Sequence, residues 1–234
     1  MKNIKVYPFQ DLGYSNYGWL ESRHHFSFGN YHNINRDHFG ALQVINDDHI
    51  AINNGFPLHF HKDMEIITYV RQGTITHNDN IGNKGYISAG NIQVMSAGKG
   101  IYHSEYNLGN EETLLYQIWI SPNKLGVTPR WDSKEFPKSS VSNELQLLVS
   151  GREEDKGKGG LYIHQDGAIY EGVLTAGTVI NKLVKYQAYI LVSKGAVLIN
   201  DVLLNEGDGA EITIAKSLTI KATTIAELLV IDVP

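Results

Sequence analysis

Two short pairs of candidate metal ligands stand out in the sequence, His59-Phe60-His61 and His103-Ser104-Glu105. In a β-strand, side chains two residues apart point to the same face, so each pair presents both of its polar groups to one side. If the two strands are neighbours, four candidate ligands converge: His59, His61, His103 and Glu105. Three imidazoles and one carboxylate suit iron, manganese, cobalt, nickel, copper or zinc. Four ligands leave one or two positions open on a five- or six-coordinate ion, as a catalytic site requires.

The alternative is that these side chains are exposed or are hydrogen-bonded core residues. A single His-x-His pair leaves that alternative open, whereas two pairs, each in a strand-like context beside a glycine-containing turn, favour the metal site. Nine of the ten histidines lie at or before residue 103, so one metal site would belong to the first half of the chain. We expect His77 to be exposed or structural rather than a ligand. We expect Asp47 and Asp48 to cap a turn.

The elements that must position these residues read as strands. Apolar residues alternate with period two, as at Leu114, Tyr116, Ile118 and Ile120. Glycine-containing turns recur between such segments, which predicts an all-β chain folded as an antiparallel sandwich or barrel. Residues 142–150 fit either a short helix capped by Ser142 or a strand.

A weak internal repeat indicates two related lobes. Residues 67–75, ITYVRQGTI, are similar to residues 189–197, YILVSKGAV. We therefore predict an N-terminal metal-binding lobe over residues 1–132, a connecting segment over 133–160 and a C-terminal lobe over 161–234.

Composition excludes several classes of protein. Lys plus Arg total 20 and Asp plus Glu total 25, giving a formal charge of −5, so no direct nucleic-acid partner is expected. Cysteine is absent, which excludes disulfides and thiolate ligands. Residues 1–10 lack the pattern of a signal peptide, and no apolar run reaches the roughly 20 residues of a membrane helix. We expect a cytoplasmic protein that does not bind membranes.

Several runs carry a family resemblance. Residues 55–70, GFPLHFHKDMEIITYV, and 96–107, SAGKGIYHSEYN, resemble the two cupin motifs in the form found in the pirin family. HHFSFG at 24–29 and LQVINDD at 42–48 are also similar to pirin sequences. The motifs are most similar to those of bacterial pirin-like proteins described as quercetin 2,3-dioxygenases. They cover residues 22–122, and the second half matches only in outline.

The resemblance implies a bicupin, two antiparallel β-barrel or jelly-roll lobes packed together, with metal only in the N-terminal lobe and a degenerate C-terminal cupin. It also implies the ligand set His59, His61, His103 and Glu105. Many other cupins take their glutamate from the first motif, here Glu65. Spacing alone leaves Glu65 open as a ligand or a partner of one, while the pirin pattern favours Glu105. His24 is expected near the pocket in a packing or hydrogen-bonding role.

The resemblance further implies a metal-dependent dioxygenase that cleaves a flavonol such as quercetin with O2 and releases carbon monoxide. Glu105 would be the catalytic base, and the cofactor one divalent transition metal ion, with iron the first expectation and copper, nickel, manganese, cobalt or zinc also suitable. Phe60, Met95 and Tyr102 are expected to line an apolar pocket for the aromatic substrate. The alternatives are a metal-binding regulatory module with a protein partner, or a cupin enzyme of another class.

Overall fold

Strands form along almost the whole described chain. Some, such as Ser217–Ala222, alternate buried and exposed side chains, whereas central strands such as Glu65–Gln72 are buried on both faces. The structure, a computed structural model, describes residues 3–136 and 144–234. The first strands are β1 (Asn3–Tyr7), β2 (Gly13–Asn16), β3 (Leu20–His24), β4 (Leu42–Ile50), β5 (Gly55–His61), β6 (Glu65–Gln72), β7 (Thr74–Asp79), β8 (Lys84–Ser88), β9 (Asn91–Ser96), β10 (Ile101–Tyr106), β11 (Thr113–Ile120) and β12 (Arg130–Glu135). They are followed by β13 (Gln146–Ser150), β14 (Leu161–Tyr162), β15 (Ala168–Leu174), β16 (Val179–Leu183), β17 (Gln187–Lys194), β18 (Ala196–Ile199), β19 (Val202–Asn205), β20 (Gly209–Thr213), β21 (Ser217–Ala222) and β22 (Ala226–Val233). The predicted all-β class is confirmed.

Helical structure in the described residues is limited to two 3₁₀ turns, Phe9–Asp11 and Glu153–Asp155. No helix in this part of the chain is long and apolar enough to cross a membrane. Of the two alternatives for residues 142–150, the strand is confirmed for Gln146–Ser150. Ser142, and residues 137–143 of the predicted connection, lie outside the described residues.

The strands fall into two compact units. Residues 13–136 and 161–165 form one, called here the N-terminal lobe. Residues 3–12, 144–160 and 166–234 form the other, the C-terminal lobe. The first strand, β1, thus belongs to the C-terminal lobe, where it pairs with β20 in antiparallel register.

The N-terminal lobe contains two antiparallel sheets. One has seven strands in the order β12-β9-β6-β11-β4-β3-β2, and the other has four in the order β5-β10-β7-β8. Apolar side chains such as Ile50, Val70 and Ile75 form a buried cluster in this lobe. A second cluster includes Ile66 and Met95.

The C-terminal lobe has the same two-sheet organisation. Strands β1, β20, β17, β22, β15 and β13 lie side by side in that order, and a four-stranded sheet has the order β16-β21-β18-β19. Its buried core cluster is apolar throughout and includes Ile190, Val197, Ile220 and Val230. Apolar burial of this kind stabilises the lobe.

Candidate metal centre

The two ligand pairs lie on neighbouring strands, as their spacing requires. Strand β10 pairs with β5 in antiparallel register, and His103 lies directly opposite His59. The condition for convergence, that the two strands are neighbours, is therefore met. Each pair therefore faces the interior of the N-terminal lobe from an adjacent strand.

A β-bulge separates the two members of the second pair. The register shifts between His103 and Glu105, so that Glu105 lies opposite Phe56. At this point the strands approach closely: a Cβ added to Gly55 would meet the carbonyl oxygen of Glu105 at 2.1 Å. Glycine at position 55 is what permits this approach, and bulges of this kind commonly re-aim a side chain beside a site.

The three histidines form one group. The ring centroids of His59 and His103 are 4.4 Å apart, those of His59 and His61 4.7 Å, and those of His61 and His103 5.0 Å. One ring nitrogen from each lies within 4.8 Å of the others, the spacing of a shared metal ion's ligands. A second group with the same spacing consists of His77, His103 and Glu105.

Hydrogen bonds leave ring nitrogens of this group available to a metal. Nδ1 of His59 lies 2.7 Å from the carbonyl oxygen of Pro57, which can only accept, so Nδ1 carries the proton and Nε2 is left with its lone pair. Nδ1 of His103 contacts His77, whereas its Nε2 is buried and has no hydrogen-bond partner among the described residues. Such an orphaned nitrogen is costly unless a ligand completes it. The donor set therefore fits a transition-metal ion.

The charge states suit metal binding as well. Burial, followed by the neighbouring His103 and His59, lowers the pKa of His61 to about 3. Burial, followed by His59 and His77, lowers the pKa of His103 to about 3. Both rings are neutral above that pH, and neutral imidazole is the form that coordinates metals.

Glu105 is held by three side-chain donors. Gln117 Nε2 donates to Glu105 Oε2 at 2.6 Å, and Thr68 Oγ1 donates to Oε1 at 3.1 Å. Gln93 Nε2 also donates to Oε1, at 2.5 Å. These bonds fix the carboxylate beside His103, facing the same interior space.

Trp131 supports both parts of the centre. Its Nε1–H donates to Gln93 Oε1 at 2.8 Å, which orients the amide so that Gln93 Nε2 faces Glu105. Its ring also stacks on His77 at a centroid distance of 4.9 Å and an angle of 13°. Trp131 on β12 thus contacts both His77, which contacts His103, and Gln93, which donates a hydrogen bond to Glu105.

Glu65, the rival ligand, faces elsewhere. A turn follows His61, so Glu65 begins the next strand, β6, rather than continuing the strand of His59 and His61. Its Oε2 accepts a hydrogen bond from Ser96 Oγ at 2.7 Å. Because Ile66 faces the interior cavity, its neighbour Glu65 points to the opposite face of β6.

A cavity of about 290 Å³ opens beside the histidines and Glu105. Its apolar walls include Leu20, Phe28, Phe56, Ile66 and Trp119. A polar wall on β3 and β4 includes Ser22, His24, Asn46 and Asp48. An apolar pocket with a few convergent polar groups is the usual form of a small-molecule site.

Several predicted placements are wrong. Phe60 and Tyr102 lie on the outer face and are exposed, because each alternates with ligands that face inward. Met95 is buried in the apolar cluster with Ile66 and is not among the residues that line the cavity. Asp47 and Asp48 lie within β4 and are buried, so they cap no turn.

The structure also places the two other histidines considered in the sequence and adds three residues to the site. Of the two alternatives for His77, exposed or structural, exposure is excluded, because the side chain is fully buried and contacts His103. His24 lines the cavity, in keeping with its expected hydrogen-bonding role. Thr68, Gln93 and Gln117 were not predicted. The signal for them was a polar residue at an inward-facing position of an apolar strand, which is costly unless it has a partner.

Two family models match this sequence. The model described as Pirin matches residues 7–120, and the model described as Quercetinase C-terminal cupin domain matches residues 147–233. A pirin-like protein of Caulobacter vibrioides is 48% identical over 96% of this chain and 97% of its own length. The chain belongs to the pirin family. A pirin relative named quercetin 2,3-dioxygenase, from Escherichia coli K12, is 44% identical over 96% of both chains.

Solved pirin structures have the same fold. The bacterial pirin YhhW from Escherichia coli, in complex with nickel(II), superposes with a TM-score of 0.92 at 42% identity, covering 99% of each chain. A second YhhW structure gives a TM-score of 0.93, covering 99% of this chain and 97% of that one. The predicted bicupin fold is confirmed, with a cupin in each lobe.

Proposed function

We propose that this pirin is a metal-dependent dioxygenase that cleaves the central ring of a flavonol such as quercetin with O2 and releases carbon monoxide. The observation that carries the proposal is the partnerless Nε2 of buried His103, which lies with His59 and His61 on the wall of a mainly apolar cavity. The name of the Escherichia coli relative supports the same activity.

The donor set defines the cofactor class. His59, His61 and His103 would hold one divalent transition metal ion, with Glu105 as the fourth ligand. Iron is our first expectation, and copper, nickel, manganese, cobalt or zinc also suit these ligands. The presence of nickel(II) in the related YhhW structure supports a metal site in this fold. When bound, the ion supplies Lewis-acid polarisation of the flavonol hydroxyl and orients substrate and O2 beside each other.

The protein's own residues supply proton transfer and binding. Glu105, held in place by Gln117, Gln93 and Thr68, accepts the proton of the flavonol hydroxyl as general base. Phe28, Phe56 and Trp119 contact the flat rings and reduce the access of water. Both atoms of O2 are then retained in the ester product, and one carbon of the central ring leaves as carbon monoxide.

A regulatory module that binds a protein partner is the alternative, and one observation favours it. Leu58, Phe60 and Tyr102 are 64%, 49% and 47% exposed on the outer faces of β5 and β10, the strands that carry the candidate ligands. Exposed apolar groups gathered in this way are typical of protein-binding surfaces.

An oxygen-dependence experiment tests the dioxygenase. Purified protein loaded with Fe(II), Ni(II), Cu(II) or Mn(II) is mixed with quercetin with and without O2, and the flavonol absorption and released carbon monoxide are followed. We expect loss of the absorption and release of one equivalent of carbon monoxide only when metal and O2 are both present.

The matched variants are His59→Ala, which removes a candidate ligand, and His32→Ala, which changes an exposed histidine of the same lobe. We expect turnover to be lost in the first and retained in the second. Stoichiometric metal without O2-dependent flavonol loss, for every ion tried, would contradict the dioxygenase and favour the regulatory module.

A further inference from the structure

A row of buried polar side chains crosses the inner face of the large sheet in the N-terminal lobe. Strand register places the members directly opposite one another on β9, β6, β11, β4 and β3: Gln93, Thr68, Gln117, Asn46 and His24. All of them are buried. Burying a polar group costs free energy unless the group has a hydrogen-bond partner. A continuous row of polar groups inside the lobe is therefore expected to bond to one another or to a ligand.

Three of the five members contribute to the metal centre. Thr68, Gln93 and Gln117 all donate hydrogen bonds to Glu105. The other two, Asn46 and His24, line the cavity.

Asn46 and His24 belong to a separate hydrogen-bonded group, whose other members are Ser15, Ser22 and Asp48. His24 Nδ1 lies 2.8 Å from Asn46 Oδ1, and His24 Nε2 lies 3.0 Å from Ser15 Oγ. Ser22 Oγ donates to Asp48 Oδ1 at 2.5 Å. These side chains form one polar wall of the cavity.

The network retains unused hydrogen-bonding capacity. Asn46 Nδ2, a donor, and Asp48 Oδ2, an acceptor when the carboxyl is ionised, have no hydrogen-bond partner among the described residues. The two side chains are two residues apart on β4 and therefore face the same side. A donor beside an acceptor matches a phenolic hydroxyl, which both accepts and donates. By comparison, the buried carboxylate of Asp232 in the C-terminal lobe receives Arg152 and the backbone N–H groups of Lys185 and Tyr186.

We propose that Asn46, Asp48, Ser22 and His24 form a binding site for substrate hydroxyl groups other than the one directed at the metal. The inference rests on the proposed function and adds the residues that discriminate among flavonols: this wall favours those that carry hydroxyls besides the one directed at the metal. Phe28, Phe56 and Trp119 line the same cavity, where they would contact the faces of the aromatic rings. A site built to bond a hydroxyl discriminates strongly against an analogue that lacks it, because its polar groups are then left unpaired.

Equilibrium binding of two flavonols tests the proposal. Quercetin carries hydroxyls at both ends, whereas 3-hydroxyflavone keeps only the hydroxyl next to the carbonyl. Binding is measured anaerobically on the protein loaded with redox-inert Zn(II), so that turnover plays no part. We expect quercetin to bind at least about tenfold more tightly, because its additional hydroxyls form hydrogen bonds that 3-hydroxyflavone cannot make.

The decisive variant is Ser22→Ala/Asp48→Leu, which replaces both members of a hydrogen-bonded pair by apolar groups and so leaves no new unpaired partner between them. We expect it to lose the preference, with quercetin binding weakened about tenfold and 3-hydroxyflavone binding unchanged. Asp48→Asn keeps the shape of the side chain and a polar group, so it should retain part of the preference for quercetin over 3-hydroxyflavone. This variant tests the proposal if the double variant does not fold. Glu21→Ala, an exposed change on β3, is the control.

Each outcome is informative. If both flavonols bind and lose the same factor in the double variant, or neither is affected, the hydroxyl site is refuted and the dioxygenase proposal stands. If neither flavonol binds the Zn(II)-loaded wild-type protein, both proposals fail.

Discussion

The Nδ1 atoms of His77 and His103 lie 3.4 Å apart, and this contact selects the nitrogen that His103 presents to His59 and His61. On its other side, His77 Nε2 lies 3.2 Å from Asp79 Oδ2. Although burial opposes it, hydrogen bonds from Asn83 and His77 hold the pKa of Asp79 below its usual value, so Asp79 is an acceptor. His77 therefore accepts at Nδ1, His103 donates from Nδ1, and His103 Nε2 keeps its lone pair.

Removing the His77 contact should weaken metal binding. In His77→Leu nothing accepts the His103 Nδ1 proton, so the tautomer and ring orientation are no longer fixed. We expect the metal dissociation constant to rise about 10- to 100-fold, the usual effect of losing such a partner. Competition with a chelator of known affinity measures it. An affinity equal to that of the exposed-site control His32→Leu would show that His77 has only a packing role.

Trp131 should affect the chemistry through Gln93. Trp131→Phe keeps an aromatic ring on His77 but removes the donor that orients the Gln93 amide. Because a lost hydrogen bond of about 1–2 kcal/mol loosens Glu105, we expect kcat to fall roughly 5- to 30-fold. Metal content, measured by elemental analysis, should stay stoichiometric. A parallel loss of metal would instead show that the stacking on His77 is the main contribution.

A matched pair of variants distinguishes the roles of Glu105 and Glu65. Glu105→Gln should lower turnover at least about 100-fold, because it removes the base while preserving volume. Glu65→Gln changes a carboxylate on the opposite face of β6 and should leave kcat within about threefold. Steady-state kinetics on the two metal-loaded variants show which glutamate turnover requires. Full activity in Glu105→Gln with metal retained would exclude the role proposed for Glu105.

Asp48 should make stability depend on pH. Burial, reinforced by the carboxylates of Asp47 and Glu105, raises the pKa of Asp48 from 3.8 to about 7 despite the hydrogen bond from Ser22. The folded state then holds a proton that the unfolded state has lost between about pH 4 and pH 7, so this group's contribution to stability falls as pH rises through that window.

Asp48→Asn mimics the protonated carboxyl and removes the dependence. In the metal-free protein we expect the free energy of unfolding of Asp48→Asn, relative to wild type, to increase between pH 4 and pH 7 by a few kcal/mol, about 1.4 kcal/mol per unit of pKa shift. Urea unfolding at several pH values measures it, with the exposed Asp11→Asn as control. A difference that does not vary with pH would show that Asp48 is ionised throughout.

The candidate ligands were predictable because their signal is local. Period two places His59 beside His61 on one face whatever the rest of the chain does. The same rule also predicts that Phe60, which lies between two inward-facing ligands, faces outward. The prediction that Phe60 lines the pocket was wrong because it did not apply this rule. Asp47 and Asp48 were misassigned because acidic pairs favour turns locally, whereas pairing with β3 and β11 holds them inside a nine-residue strand.

The sequence by itself determined the strand-rich class, the same-face geometry of each ligand pair and the pirin resemblance, because each depends on neighbours in the chain. Only the tertiary structure decided that His77 contacts His103, that Trp131 orients Gln93, and that a polar row runs from Gln93 to His24 across five strands. These relationships depend on strand order and register between residues far apart in sequence. A shift of one residue in any strand would turn its member of the row to the opposite face.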